Sequence, residues 1–182
     1  MVIITIPLEV AVVNEEVKYS SYLHMRDIIY QISYREYESD ADLTEVDQQL
    51  ILKAREAVQR GYAPYSGFRV GAAVLLQNAI IITGNNQENA AYPSGLCAER
   101  TALFYAASQY PNVPIKAIAV STLNPTPSGH ARPCGACLQV MAEYEDLAGQ
   151  PLHIILDGSD RIIIVDGLDN LLPLRFRRED LK

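Results

Sequence analysis

The stretches Cys97-Ala98-Glu99-Arg100 and Pro133-Cys134-Gly135-Ala136-Cys137 decide how this chain reads, because they contain all three of its cysteines. Three thiolates can hold one zinc ion and leave its fourth position open to a water molecule. Cys134 and Cys137 are three residues apart, which in the first turn of a helix puts both sulfurs on one side. Cys97 and Glu99 are two apart, a spacing that does not share a helix face. Cys97 is therefore expected at the very start of its helix, where the backbone is not yet regular. Both segments then bring helix N-termini to the metal. Such an end favours negative charge by up to about 1 kcal/mol, and its N–H groups lower a thiol pKa. Arg100 adds positive charge beside the thiolates. Glu99, held off the metal, is the candidate for moving the water's protons.

Around these motifs the composition is that of one folded domain. The chain has 182 residues, 49% of them hydrophobic, which is enough for one sizeable core. No apolar run is long enough to span a bilayer, and no membrane partner is expected. Met1-Val2-Ile3-Ile4-Thr5-Ile6 has no basic region before its apolar residues, so it reads as a strand rather than an export signal. Three thiols in a chain without such a signal point to a reducing, cytoplasmic setting. The net charge of −7 argues against a nucleic-acid groove. Arg175-Phe176-Arg177-Arg178, the one local basic run, reads as a solvated tail.

Residues 1–43 form an extension of unknown role. Residues 2–13 are rich in β-branched side chains, and Pro7 restricts any strand there to an edge. Tyr19, Tyr22, Tyr30, Tyr34 and Tyr37 follow, interleaved with charges; a strand, a short helix and an arm on a neighbour all remain open. The domain proper spans 44–182. Thr44 is placed to cap a helix, with Asp47 three residues on. Val46, Leu50, Ala54, Ala57 and Val58 fall on one face of that helix. Strands are expected at 68–76, 79–83, 115–121, 152–156 and 162–165, and helices at 97–108 and 134–144. Strands separated by helices run parallel, with helices on the sheet faces. The expectation is a three-layer α/β/α sandwich around a mixed five-stranded sheet.

Two plainer readings compete at the cysteines. A closed structural zinc needs a fourth protein ligand, for which His130, four residues before Cys134, is the nearby candidate. A redox Cys-x-x-Cys pair leaves Cys97 and Glu99 without a role. His153 reads as a packed histidine, and neither it nor His24 has an evident partner.

From Ala63 to Phe176 the sequence resembles the cytidine deaminases of the small, three-cysteine kind. The resemblance rests on Ala63-Pro64-Tyr65-Ser66-Gly67-Phe68-Arg69-Val70-Gly71-Ala72-Ala73, Asn86-Gln87-Glu88-Asn89-Ala90-Ala91-Tyr92, the two cysteine motifs and Leu171-Leu172-Pro173-Leu174-Arg175-Phe176. It implies the family's fold and zinc-dependent hydrolytic deamination of cytidine and deoxycytidine, releasing ammonia, in pyrimidine salvage. It also implies zinc on Cys97, Cys134 and Cys137, with Glu99 as the proton shuttle. Phe68 would stack on the base, Ala98 would offer its backbone to the pyrimidine, and Asn86 and Glu88 would hold the ribose hydroxyls. A homotetramer with sites shared between subunits is implied as well. An aromatic face suits a flat base, and an amide and a carboxylate suit a diol. Leu138 departs from the family, which usually has Arg directly after the second cysteine of the pair. The alternatives are a deaminase of a modified cytosine nucleoside and a zinc-stabilised binding module without turnover.

Overall fold

This computed structural model describes residues 28–124, 126 and 129–181. The chain divides into two units, Met1–Tyr30 and Gln31–Lys182, and every strand and helix among the described residues belongs to the second. The expected strands at 2–13, together with Tyr19, Tyr22 and His24, lie outside the described residues.

One mixed sheet organises the unit. Its strands are β1 (Arg35–Tyr37), β2 (Val70–Leu76), β3 (Ile81–Asn85), β4 (Ile115–Thr122), β5 (His153–Leu156) and β6 (Ile162–Asp166), in spatial order β1-β6-β5-β4-β2-β3. β4 and β5 are parallel and the other neighbours antiparallel. Three helices cover it: α1 (Glu45–Val58), α2 (Ala98–Gln109) and α3 (Gly135–Ala148). The expected sandwich is present, but the sheet has six strands rather than five. The additional strand is β1, three residues paired antiparallel with β6, within the stretch read as part of the extension.

The layers follow from strand alternation, since successive side chains point to opposite faces. In β2, Ala72, Val74 and Leu76 face the core under α2 and α3, while Ala73 faces the core under α1. Ile118 and Val120 of β4 join the first core, and Ala117 and Ala119 the second. Burial on both faces explains why these strands read as unbroken apolar runs.

Thr44 caps α1 as expected, accepting the Asp47 N–H at 3.2 Å and donating its hydroxyl to the Asp47 carboxylate at 2.8 Å. The buried face of α1 is rotated from the expected one. Val46 is exposed, and Ile51 is buried beside Leu50, Ala54, Ala57 and Val58. α3 runs four residues beyond its expected end at 144, to a stop where Gly149 takes the left-handed conformation at φ 65°.

Two residues have partners that the sequence did not reveal. His153 lies between two carboxylates, with Nε2 3.2 Å from Asp47 and Nδ1 2.6 Å from Asp166. Arg175 is not part of a solvated tail. It is buried and donates to Glu145 at 2.9 Å and Asp146 at 3.0 Å. The other Glu145 oxygen accepts the N–H groups of Leu152 and Leu168, both at 2.9 Å. This carboxylate ties α3 to the residue just before β5, the segment after β6, and the C-terminal region.

Helix α2 is set directly on the sheet by Gly84 in β3. A Cβ there would meet the Ala102 N at 2.5 Å and the Ala98 O at 2.8 Å, both backbone atoms. Gly84→Ala is therefore expected to destabilise the fold by at least about 1–3 kcal/mol, as overpacking does. Urea unfolding checks this; an unchanged midpoint contradicts the packing described.

Candidate active site

The three sulfurs converge because two helices begin at them. Cys97 is the N-cap of α2 and Cys134 the N-cap of α3, both with extended backbone. Neither side chain caps its own helix, so each is free to turn toward the other. Cys137, one turn into α3, is buried. The Cys97 and Cys134 sulfurs are 4.0 Å apart, and those of Cys134 and Cys137 are 3.5 Å apart. All three lie within 4.8 Å of one another. Sulfurs about 2.3 Å from a single tetrahedral zinc stand about 3.8 Å from each other, so the triangle fits that ion. Among the described residues, no histidine or carboxylate joins the group as a fourth donor. His130 is instead on the wall of the adjoining cavity.

The charges around the triangle favour thiolate. Arg100 Nη2 donates to Cys97 Sγ at 3.6 Å. A hydrogen bond from Cys137 and then Arg100 hold the Cys97 thiol down at about 5, against desolvation. The bond it makes to Cys97 and its burial push the Cys137 thiol up. Leu138, where the family that the sequence resembles usually has Arg, is half-buried against the main core and lines a neighbouring cavity with Leu156 and Ile163, which shares His130 and Arg132 with the one at the sulfurs. The helix ends and Arg100 are left to balance the sulfurs.

Glu99, in the first turn of α2, is only 4% exposed. Burial raises its pKa, and the neighbouring Cys97 charge adds to that. Its carboxyl faces a cavity of about 360 Å³ together with Cys97 and Cys134, a volume within the usual range of about 300–1,000 Å³ for small-molecule sites. Phe68, Asn86 and Glu88 line the same cavity, brought there by the turn before β2 and the segment after β3. Ala98 is not on the wall; it is wholly buried at the start of α2, packed toward the core beside Gly84. Arg100 likewise acts from behind the sulfurs.

Ser66, Val70, Thr122, Thr126 and Arg132 also line the cavity, none of them assigned a role from the sequence, and so does His130, which was weighed there only as a zinc ligand. One signal for Thr122 was available. A site in an open α/β sheet gathers beyond the C-terminal ends of parallel strands, and Thr122 ends β4. A cavity of about 330 Å³ beside Arg55 and Asp157 contains none of the sulfurs. Its charges are already matched, since Arg55 grips Asp157 through two bonds of 2.8 Å and Asp40 through a third.

Residues 44–148 match the family model described as the cytidine and deoxycytidylate deaminase zinc-binding region. A cytidine deaminase of Halalkalibacterium halodurans is 41% identical over 138 residues, 75% of this chain and 98% of that protein. One from Sporosarcina psychrophila is 40% identical over 134 residues, 74% of this chain and 93% of that protein. Among solved structures, cytidine deaminase from Burkholderia pseudomallei superposes with a TM-score of 0.62 at 39% identity, covering 74% of this chain and all of that one.

The domain is accordingly a zinc-binding one, and the three sulfurs are placed close enough to hold one ion. Metal analysis is expected to find one zinc per chain, and Cys134→Ala to leave the protein substoichiometric with a lower melting temperature. Full zinc occupancy in that variant contradicts the assignment.

Proposed function

The chain belongs to the cytidine deaminase family, and from that membership we propose that it hydrolyses cytidine and deoxycytidine to uridine and deoxyuridine, releasing ammonia. One observation carries the reading. A buried carboxyl and a sulfur triangle lie at one end of a cavity whose walls also carry an aromatic ring, an amide and a second carboxylate.

Cys97, Cys134 and Cys137 hold the metal. Bound zinc supplies a water whose pKa falls from 15.7 toward about 7, available for attack at neutral pH. In our reading Glu99 takes the two protons of the attacking water in turn, passing the first to the ring nitrogen and the second to the departing amine. Water oxygen becomes the new carbonyl oxygen at the carbon that loses ammonia, so the atoms balance. Burial gives Glu99 the raised proton affinity that suits a group alternating between acid and base. Phe68 offers its ring to the base, and Asn86 and Glu88 their polar groups to the sugar; Ala98, wholly buried, is left without the substrate contact that the resemblance implied. Arg100 keeps the sulfurs charged.

We take 44–182 as the catalytic region, with β1 completing its sheet. The family further supports a cytoplasmic homotetramer serving pyrimidine salvage, with neither nucleic acid nor membrane as partner. Phe104, Tyr105 and Phe176, exposed on the isolated chain, are suited to subunit contacts.

Glu99→Ala is expected to lose at least about 10²–10⁴-fold in kcat while keeping its zinc. Loss of cytidine absorbance in the ultraviolet, with zinc content measured on the same sample, checks this. Undiminished turnover by the zinc-loaded variant contradicts the role of Glu99.

A further inference from the structure

Asn86 and Glu88 hold the turn that carries Phe68 as well as facing the cavity. Asn86 Oδ1 accepts the Val70 N–H at 2.9 Å, and its Nδ2 donates to the Phe68 carbonyl at 2.8 Å. One Glu88 oxygen accepts the N–H groups of Tyr65 at 2.9 Å and Ser66 at 3.2 Å. The other accepts the hydroxyl of Ser66. That same hydroxyl oxygen accepts the Phe68 N–H at 3.0 Å.

A serine hydroxyl has one hydrogen and two lone pairs. Ser66 can therefore give its hydrogen to Glu88 and take that of Phe68 at once. The Ser66 hydroxyl thus bonds both to the carboxylate meant for the sugar and to the backbone of the ring meant for the base. From this juxtaposition we propose that Ser66 is a positioning residue that couples sugar recognition by Glu88 to base stacking by Phe68. The inference rests on the cytidine deaminase reading and goes beyond it.

The physical reason is preorganisation. A glutamate on an open surface samples many rotamers, and ordering it at binding weakens affinity. Three bonds at its carboxylate confine Glu88 before substrate arrives. A carboxylate has about four lone-pair sites. With three in use, Glu88 keeps room for about one sugar hydroxyl, and Asn86 Nδ2 has its second hydrogen for another. The Ser66 bond also lowers the Glu88 pKa, keeping the carboxylate charged as an acceptor.

The test compares cytidine with 2′,3′-dideoxycytidine, which lacks both hydroxyls. Ser66→Ala is expected to lower kcat/KM for cytidine about tenfold, the scale of losing a hydrogen bond to a charged group, with KM rising more than kcat falls. For dideoxycytidine a smaller loss is expected, because this substrate lacks the hydroxyls that Glu88 would hold and is affected only through the Phe68 backbone. Ser66→Thr, which keeps the hydroxyl, is expected to recover most of the cytidine rate. A Ser66→Ala/Glu88→Gln double variant is expected to lose no more than Glu88→Gln alone, since the two act as one unit. Equal losses on both nucleosides, or additive losses in the double variant, overturn the inference while leaving the deaminase reading intact. A zinc-loaded wild-type protein that turns over neither nucleoside overturns that reading and the inference with it.

Discussion

Two helices that start at cysteines, aimed at one point, are the constraint on which the rest of the structure depends. The N-terminus of a helix has N–H groups without intrahelical partners and the positive end of its dipole. Thiolates supply the matching negative charge. Cys97 and Cys134 occupy the N-cap positions without bonding to their own helices, so their sulfurs are left for a shared ion. Placing both helix starts together requires α2 and α3 to lie on the same face of the sheet. The apolar alternation of β2 and β4 and the missing side chain at Gly84 make this possible. Fold and site are in this sense one problem, since the packing that buries Ala102 and Met141 also brings three sulfurs within 4.8 Å.

The same arrangement explains why one acidic group stands apart from the other. Glu99 follows Cys97 into the first turn of α2 and is carried into the protein, where burial favours its protonated form. Glu88 sits in a polar turn where three donors favour its charged form. One carboxyl is suited to passing protons and the other to accepting hydrogen bonds. The environment separates these roles, since the side chains are chemically identical.

The local signals were legible in the sequence. The Thr44 cap, the paired cysteine spacing and the placement of Cys97 ahead of its helix each depend on a few neighbouring residues, and the structure has them in those places. What sequence reading misplaced depends on distant partners. β1 is only three residues long, mostly exposed, and defined by its pairing with β6, so its own residues carry no period-two pattern. Arg175 looked like part of a charged run because Glu145, thirty residues earlier, is what draws it inside. His153 gains its two carboxylates from a helix and a strand on separate segments. The buried face of α1 turned toward Ile51 because the sheet lies there. In the site, the motif residues Phe68, Asn86, Glu88, Glu99 and the cysteines come together. Thr126, His130 and Arg132 join them only through the fold.

Leu138 sharpens the electrostatic question. An apolar side chain beside the second cysteine leaves Arg100 as the one guanidinium donating to a sulfur among the described residues. The sulfur triangle must then rely on helix ends and a single cation to remain an open, three-sulfur zinc site. X-ray absorption at the zinc edge of the purified holoprotein tests this most directly. The account predicts three sulfur neighbours at about 2.3 Å and one lighter oxygen neighbour. A shell closed by a nitrogen or a fourth sulfur from the protein would contradict it.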